Sequence, residues 1–165
     1  MIDRRGLLST AALGGAVAAL AGLFSTRGST AAAGKFEVTK SEEAWRKQLT
    51  PAQYYVLRDH GTERPWTSPL DKEKRKGVFH CAGCDLALFS SETKYDSGTG
   101  WPSFWQPLPK AIGTKSDNSL FMTRTEVHCR RCGGHLGHVF EDGPAPTGLR
   151  YCMNGVAMIF KPAAD

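Results

Sequence analysis

VFHCAGC, residues Val78 to Cys84, returns later in the chain as EVHCRRC, residues Glu126 to Cys132. Each copy reads as a short strand that runs into a C-x-x-C turn. One such turn presents two thiolates to an ion, and two turns complete a tetrahedral shell. The interval between Cys84 and Cys129 exceeds that of a local finger, so the fold itself must close the clamp and tie distant strands together. Two other readings share the spacing. Disulfides are favoured outside the cytoplasm, and a redox C-x-x-C needs only one pair, opening a helix after a strand. Duplication behind two β-like runs favours metal, so Cys81, Cys84, Cys129 and Cys132 are expected to hold one structural zinc ion. Arg130 and Arg131 would offset part of the thiolate charge. His80 and His128 precede the two turns and are read as surface or supporting residues, since four cysteines already fill the shell.

Outward from these turns the chain keeps one texture. From Gly77 on, short apolar runs alternate with Gly, Pro, Asp and Ser, and Val78–Phe79, Leu86–Phe89, Ser119–Thr123, His135–Phe140 and Val156–Phe160 are predicted strands. The 18 glycines and 9 prolines suit many turns better than long helices. Before this block the signals are helical. Ser41 offers an N-cap followed by Glu42 and Glu43. Thr50-Pro51-Ala52-Gln53 has the form of a capping box with proline at N1, and Gly61 is the expected stop. Thr62 to Leu70, with two prolines, reads as an extended wrap. The expectation is a mainly β domain with an N-terminal helical pair.

The first 33 residues read as an address. Arg4-Arg5 precede an uncharged Ala/Gly/Leu run, then Arg27 and the small-residue stretch ending at Ala33. This is the layout of an export signal, and the arginine pair resembles a twin-arginine signal. Cleavage after Ala33 would leave residues 34–165 as the mature, exported domain, periplasmic or beyond the membrane, with no stable membrane insertion. An uncleaved anchor and ordinary secretion are the alternatives. The formal charge is +5. Arg4, Arg5, Arg27 and Asp3 take two of those charges into the address, and the remaining +3 is too small to argue for a nucleic-acid partner.

Cys152, in Leu149-Arg-Tyr-Cys-Met-Asn-Gly155, is the fifth of five cysteines. If four hold metal, it is free. In a strand, Arg150, Cys152 and Asn154 share a face, and a guanidinium beside a thiol favours the thiolate. Local composition by itself favours a buried cysteine acting as a small hydrophobe. Two other clusters bear on the choice. Gly134-His-Leu-Gly-His-Val-Phe140 with Glu141-Asp142 supplies two imidazoles suited to proton transfer near neutrality, and Asp142 could hold one of them in place. Tyr95-Asp-Ser-Gly-Thr-Gly-Trp-Pro-Ser-Phe-Trp105 can hold the Trp101 indole rigidly against a small apolar group, whereas Trp105 reads as core packing.

CAGC, SGTGWPSFW, CRRCGGHLGHVFEDGP and GLRYCMNG, together with TPAQYYVLRDHGTERPW and LDKEKRKGVFHC, resemble the B-type methionine-R-sulfoxide reductases over roughly residues 40–161. That resemblance implies two small antiparallel sheets with flanking helices and a four-thiolate zinc site distant from the chemistry. It makes Cys152 the nucleophile and places Trp101 on the substrate methyl group. It assigns His135, His138 and Asn154 to the sulfoxide oxygen and water, and Asp142 and Arg150 to organising the site. It implies oxidised proteins carrying methionine-R-sulfoxide as substrates; an external thiol or thioredoxin-like reductant is the expected partner, and the chain is expected to be a monomer. Many members carry a resolving cysteine where this chain has Thr99, so a one-cysteine cycle is expected. A zinc-ribbon binding module without catalysis is the rival reading; it would want a basic face and would have no need of Cys152.

Overall fold

The computed structural model describes residues 36–119 and 122–164. The export signal expected at residues 1–33 lies outside the described residues. Helix α1, Glu42–Gln48, starts at Ser41, whose hydroxyl accepts from the Ala44 N–H, and has Glu42 and Glu43 in its first turn. Helix α2, Pro51–Leu57, starts with the full capping box: the Thr50 hydroxyl accepts from the Gln53 N–H and the Gln53 side chain from the Thr50 N–H. Its end comes earlier than Gly61. Arg58 is the C-cap, and His60 makes the turn with a φ of 55°.

Among the described residues nine strands follow: β1 Gly77–Cys81, β2 Ala87–Ser90, β3 Lys94–Tyr95, β4 Ser103–Phe104, β5 Ile112–Asp117, β6 Arg124–Cys129, β7 His135–Phe140, β8 Arg150–Met153 and β9 Met158–Pro162. They form two antiparallel sheets, one of three strands in the order β2-β1-β9 and one of six in the order β3-β4-β8-β7-β6-β5. This is the expected two-sheet class. One predicted strand was misplaced. The described part of Ser119–Thr123 lies in the connection between β5 and β6, two strands that pair from Ile112↔Cys129 to Asp117↔Arg124. The last predicted strand divides, with a 3-10 turn over Gly155–Ala157 before β9.

The core lies between the sheets. Phe79 of β1, Phe89 of β2 and Phe104 of β4 are fully buried; the rings of Phe89 and Phe104 stack at 4.4 Å, and Phe79 meets Phe104 edge-on at 5.0 Å. Burying a phenylalanine side chain contributes about 1.5–3 kcal/mol. Trp105, expected in the core, is only partly buried; its neighbour Phe104 takes that place. Both C-x-x-C pairs sit where a strand ends in a turn. Cys81 closes β1 in one sheet and Cys129 closes β6 in the other, so the two pairs join the sheets. No helix among the described residues is long and apolar enough to cross a membrane.

Candidate active site and metal clamp

The four paired cysteines converge: their sulfurs lie within 4.8 Å of one another, with Cys81–Cys132 at 3.7 Å and Cys84–Cys129 at 3.4 Å. Zinc–sulfur bonds of ~2.3 Å in a tetrahedron place sulfurs about 3.8 Å apart, so the cluster has the size of a zinc–thiolate shell. None of the five cysteines is in a disulfide, so the disulfide alternative is not adopted. At this spacing hydrogen bonding to Cys129 pushes the Cys81 thiol far up and the Cys84 thiol far down. Four such sulfurs ionise together only around a cation. Arg131 donates to the Cys84 carbonyl at 3.3 Å, on the side of the clamp where compensating charge was expected.

Cys152 belongs to a different place. Strand β8 lies between β4 and β7, so Cys152 is directly opposed by Ser103 on one side and His138 on the other. Opposed residues on neighbouring strands share a face, with Cβ atoms ~5 Å apart. Cys152, His138, Asn154 and Trp101 line one hollow of about 120 Å³ together with Thr62, Arg124, Gly137 and Phe140. No clamp cysteine lines it. Gly137 is required by close approach, since a Cβ there would stand 2.1 Å from the Cys152 carbonyl oxygen.

The Thr99 hydroxyl lies 3.9 Å from the Cys152 sulfur and begins a chain of hydroxyls, Thr99–Ser97 at 2.8 Å and Ser97–Ser103 at 2.7 Å. Arg150 and Thr99 favour the thiolate, but burial outweighs them and the Cys152 thiol is pushed up. Burial therefore works against the resting thiolate that the neighbouring guanidinium favours. The cause is the sulfur's withdrawal from water, a cost to the charged form that the sequence does not display.

The histidines are held by carboxylates the sequence reading missed. Buried His135 has Nδ1 2.9 Å from Glu126 Oε1, and His138 has Nε2 2.7 Å from Asp117 Oδ2. Burial would raise the Glu126 carboxyl, but hydrogen bonds from His135, His60 and Lys115 carry it well below the usual range. Asp117 is likewise held far down, first by the Ser119 N–H and hydroxyl and then by His138. Ionised carboxylates only accept, so the facing ring nitrogens carry the protons. Burial pushes His138 down despite Asp117, leaving its imidazole neutral near pH 7 with Nδ1 as an acceptor. Asp142, expected beside an imidazole, instead meets Arg150 in a two-point pair of 2.8 and 2.7 Å. It lies just past β7, whose last residue Phe140 pairs with Arg150, so the guanidinium is the group within its reach.

His135 and His138 are three residues apart and would point to opposite faces of a regular strand. A bulge resets them. Between Val127↔Gly137 and His128↔His135 the pairing skips Leu136, and the two rings meet edge to face at 5.4 Å. Freed from the ladder, the Leu136 carbonyl accepts both the Asn154 N–H at 2.8 Å and its Nδ2 at 3.0 Å. The Asn154 Oδ1 accepts from the Glu63 N–H at 2.9 Å, which leaves one amide hydrogen for the hollow. Glu63 also fixes the indole, its carbonyl accepting from Trp101 Nε1 at 3.1 Å, and its carboxylate accepts from the N–H groups of Gly155 and Val156. The Trp101 loop has Gly100 at a φ of 84°, tied by its carbonyl to the Trp66 N–H at 2.7 Å.

Fold and site together define a thiol protein of mainly β build, in which a four-cysteine clamp stands apart from one pocket cysteine flanked by an indole and an imidazole. The SelR domain family matches residues 49–162. A peptide methionine sulfoxide reductase MsrB of Agrobacterium fabrum is 56% identical over 127 residues, 76% of this chain and 94% of that protein. One of Methanosarcina barkeri is 60% identical over 125 residues, 75% and 88%, and one of Leptospira interrogans 55% identical over 127 residues, 76% and 97%. The chain belongs to this family, the B-type peptide methionine sulfoxide reductases, which are oxidoreductases.

Proposed function

We propose that this chain reduces methionine-R-sulfoxide, mainly in proteins, to methionine through Cys152, and so repairs proteins under oxidative stress. The observation that carries the reading is the shared hollow of Cys152, Trp101, His138 and Asn154, set apart from the clamp. The names of the relatives support the reaction, and the family resemblance supports the R epimer and protein-bound substrate. The substrate methyl group packs on Trp101. Its oxygen takes the free Asn154 amide hydrogen and faces the His138 ring, against which His135, outside the hollow, packs edge to face.

Because the resting thiol is protonated, the Cys152 proton has to leave as sulfur attacks. His138 Nδ1 is the neutral base on the strand directly opposite. It takes that proton and returns it to the oxygen as the S–O bond breaks, so charge never separates far. The sulfoxide loses its oxygen to leave methionine, and Cys152 becomes a sulfenic acid. Arg150, held by Asp142, stabilises the developing thiolate. Two equivalents of an external thiol, or one dithiol protein of the thioredoxin kind, return the sulfenic acid to the thiol and release water. Thr99 offers no sulfur for an internal disulfide, and the four remaining cysteines belong to the clamp. Zinc held by Cys81, Cys84, Cys129 and Cys132 would cross-link the two sheets.

Cys152→Ser tests the reading: zinc content is retained and reduction of the R epimer in peptides is lost. Unchanged activity excludes Cys152 as nucleophile. Mass spectrometry of the oxidised, zinc-loaded protein is expected to show a sulfenic acid at Cys152 and no intramolecular disulfide.

A further inference from the structure

We propose that His60, Glu126 and His135 form a second metal site, for a divalent ion of the zinc type, whose occupation shuts the active site. The consequence for activity rests on the reductase reading above; the binding does not. One ligand atom from each of His60, Glu126 and His135 lies within 4.8 Å of the other two. The single oxygen Oε1 faces both ring nitrogens, at 3.2 Å from His60 and 2.9 Å from His135. Legs of ~2.1 Å to an ion give edges of about 3.0 Å at a right angle and 3.4 Å in a tetrahedron, so these separations suit one ion on three ligands. Two imidazoles and a carboxylate are a donor set that zinc and its first-row neighbours accept, with open positions left for water.

The surroundings are built for access. These residues line a polar chamber of about 460 Å³ with Lys115, Asp117, Arg124 and His138, adjoining the hollow that holds Cys152. Glu126 and His135 are its buried wall, whereas the His60 side chain is 51% exposed and sits where an ion would enter. The left-handed turn at His60 places its ring 5.2 Å from that of His135. Lys115 already takes the other carboxylate oxygen, with Nζ 2.9 Å from Oε2, and opposes a cation without covering Oε1. An ion here would take the place of the proton between His135 Nδ1 and Glu126, which moves to Nε2, and would fix a ring that packs edge to face on His138 at 5.4 Å.

The test uses the full chain with its four-cysteine site loaded, in a Cys152→Ser background so that the pocket thiol takes no part. Zinc titrated against a competing chromophoric chelator should show one further ion per chain. His60→Ala should weaken that ion at least tenfold and leave the clamp zinc untouched. Lys115→Ala should tighten it several-fold, a change that damage to the fold would not produce. With Cys152 restored, added zinc should inhibit the parent protein and spare His60→Ala. No uptake beyond the clamp, or equal uptake by His60→Ala, overturns the site; inhibition that persists in His60→Ala overturns its role in shutting the enzyme. A chain without reductase activity would sink the functional reading and leave the binding result standing by itself.

Discussion

At Cys152 burial and charge pull in opposite directions, and burial prevails. The alkylation rate of Cys152 should therefore rise with pH to a midpoint above that of an ordinary cysteine, ~8.5. Arg150→Ala removes a positive charge that favours the thiolate, so its midpoint should lie higher still; a midpoint near neutrality in the parent protein would contradict the burial argument. Thr99 makes a second residue-scale prediction. Its hydroxyl is 3.9 Å from the sulfur, in a loop with Gly98 and Gly100 on either side at positive φ. Thr99→Cys should give an internal disulfide with Cys152 on turnover, seen by mass spectrometry after one oxidising cycle. At this scale the sequence was legible in identity but not in state. An odd cysteine, an indole between glycines and a pair of histidines announce themselves by type. Desolvation of a sulfur depends on which strands flank it, and no local pattern encodes that.

At the scale of the element, β5 and β6 carry the carboxylates that hold the histidines of β7. Glu126 is buried with three basic partners, and Glu126→Ala would leave the buried His135 imidazole without its acceptor, while the half-exposed His60 and Lys115 turn to water. A loss of about 1–3 kcal/mol, the cost of one unsatisfied buried donor, is expected in denaturant unfolding of the zinc-loaded protein. Asp117 holds His138 with a negative charge that favours the imidazolium, so Asp117→Asn should move the His138 titration further down, as followed by its ring proton resonances. These supports escaped the sequence reading because β5 was not seen as a strand. Ile112–Asp117 is an edge strand with no fully buried residue, and Gly113, Thr114, Lys115 and Ser116 give no apolar alternation. Capping signals behave differently, being local chemistry: Ser41, Thr50 and Gln53 do in the structure what their spacing predicts.

For the whole molecule, the clamp joins a strand of each sheet, so an ion bound there would hold the core closed from one end. Stripping it with a strong chelator should lower the melting temperature by more than about 10 °C, and Cys84→Ser should do the same with no chelator present. We also infer export from residues 1–33, supported by Arg4, Arg5 and the uncharged run behind them; replacing both arginines by lysine should leave the protein inside the cell on fractionation. The skipped pairing at Leu136 acts on the same global scale. Because it sets the phase between two imidazoles and frees the carbonyl that grips Asn154, the reading frame of β7 is fixed by chemistry and not by folding. Shortening that strand by one residue would leave a sheet able to zip up in a regular register, yet it would turn one ring outward and loosen the amide. Homologous chains should therefore vary in length in their loops and keep the count between the last clamp cysteine and His138 unchanged.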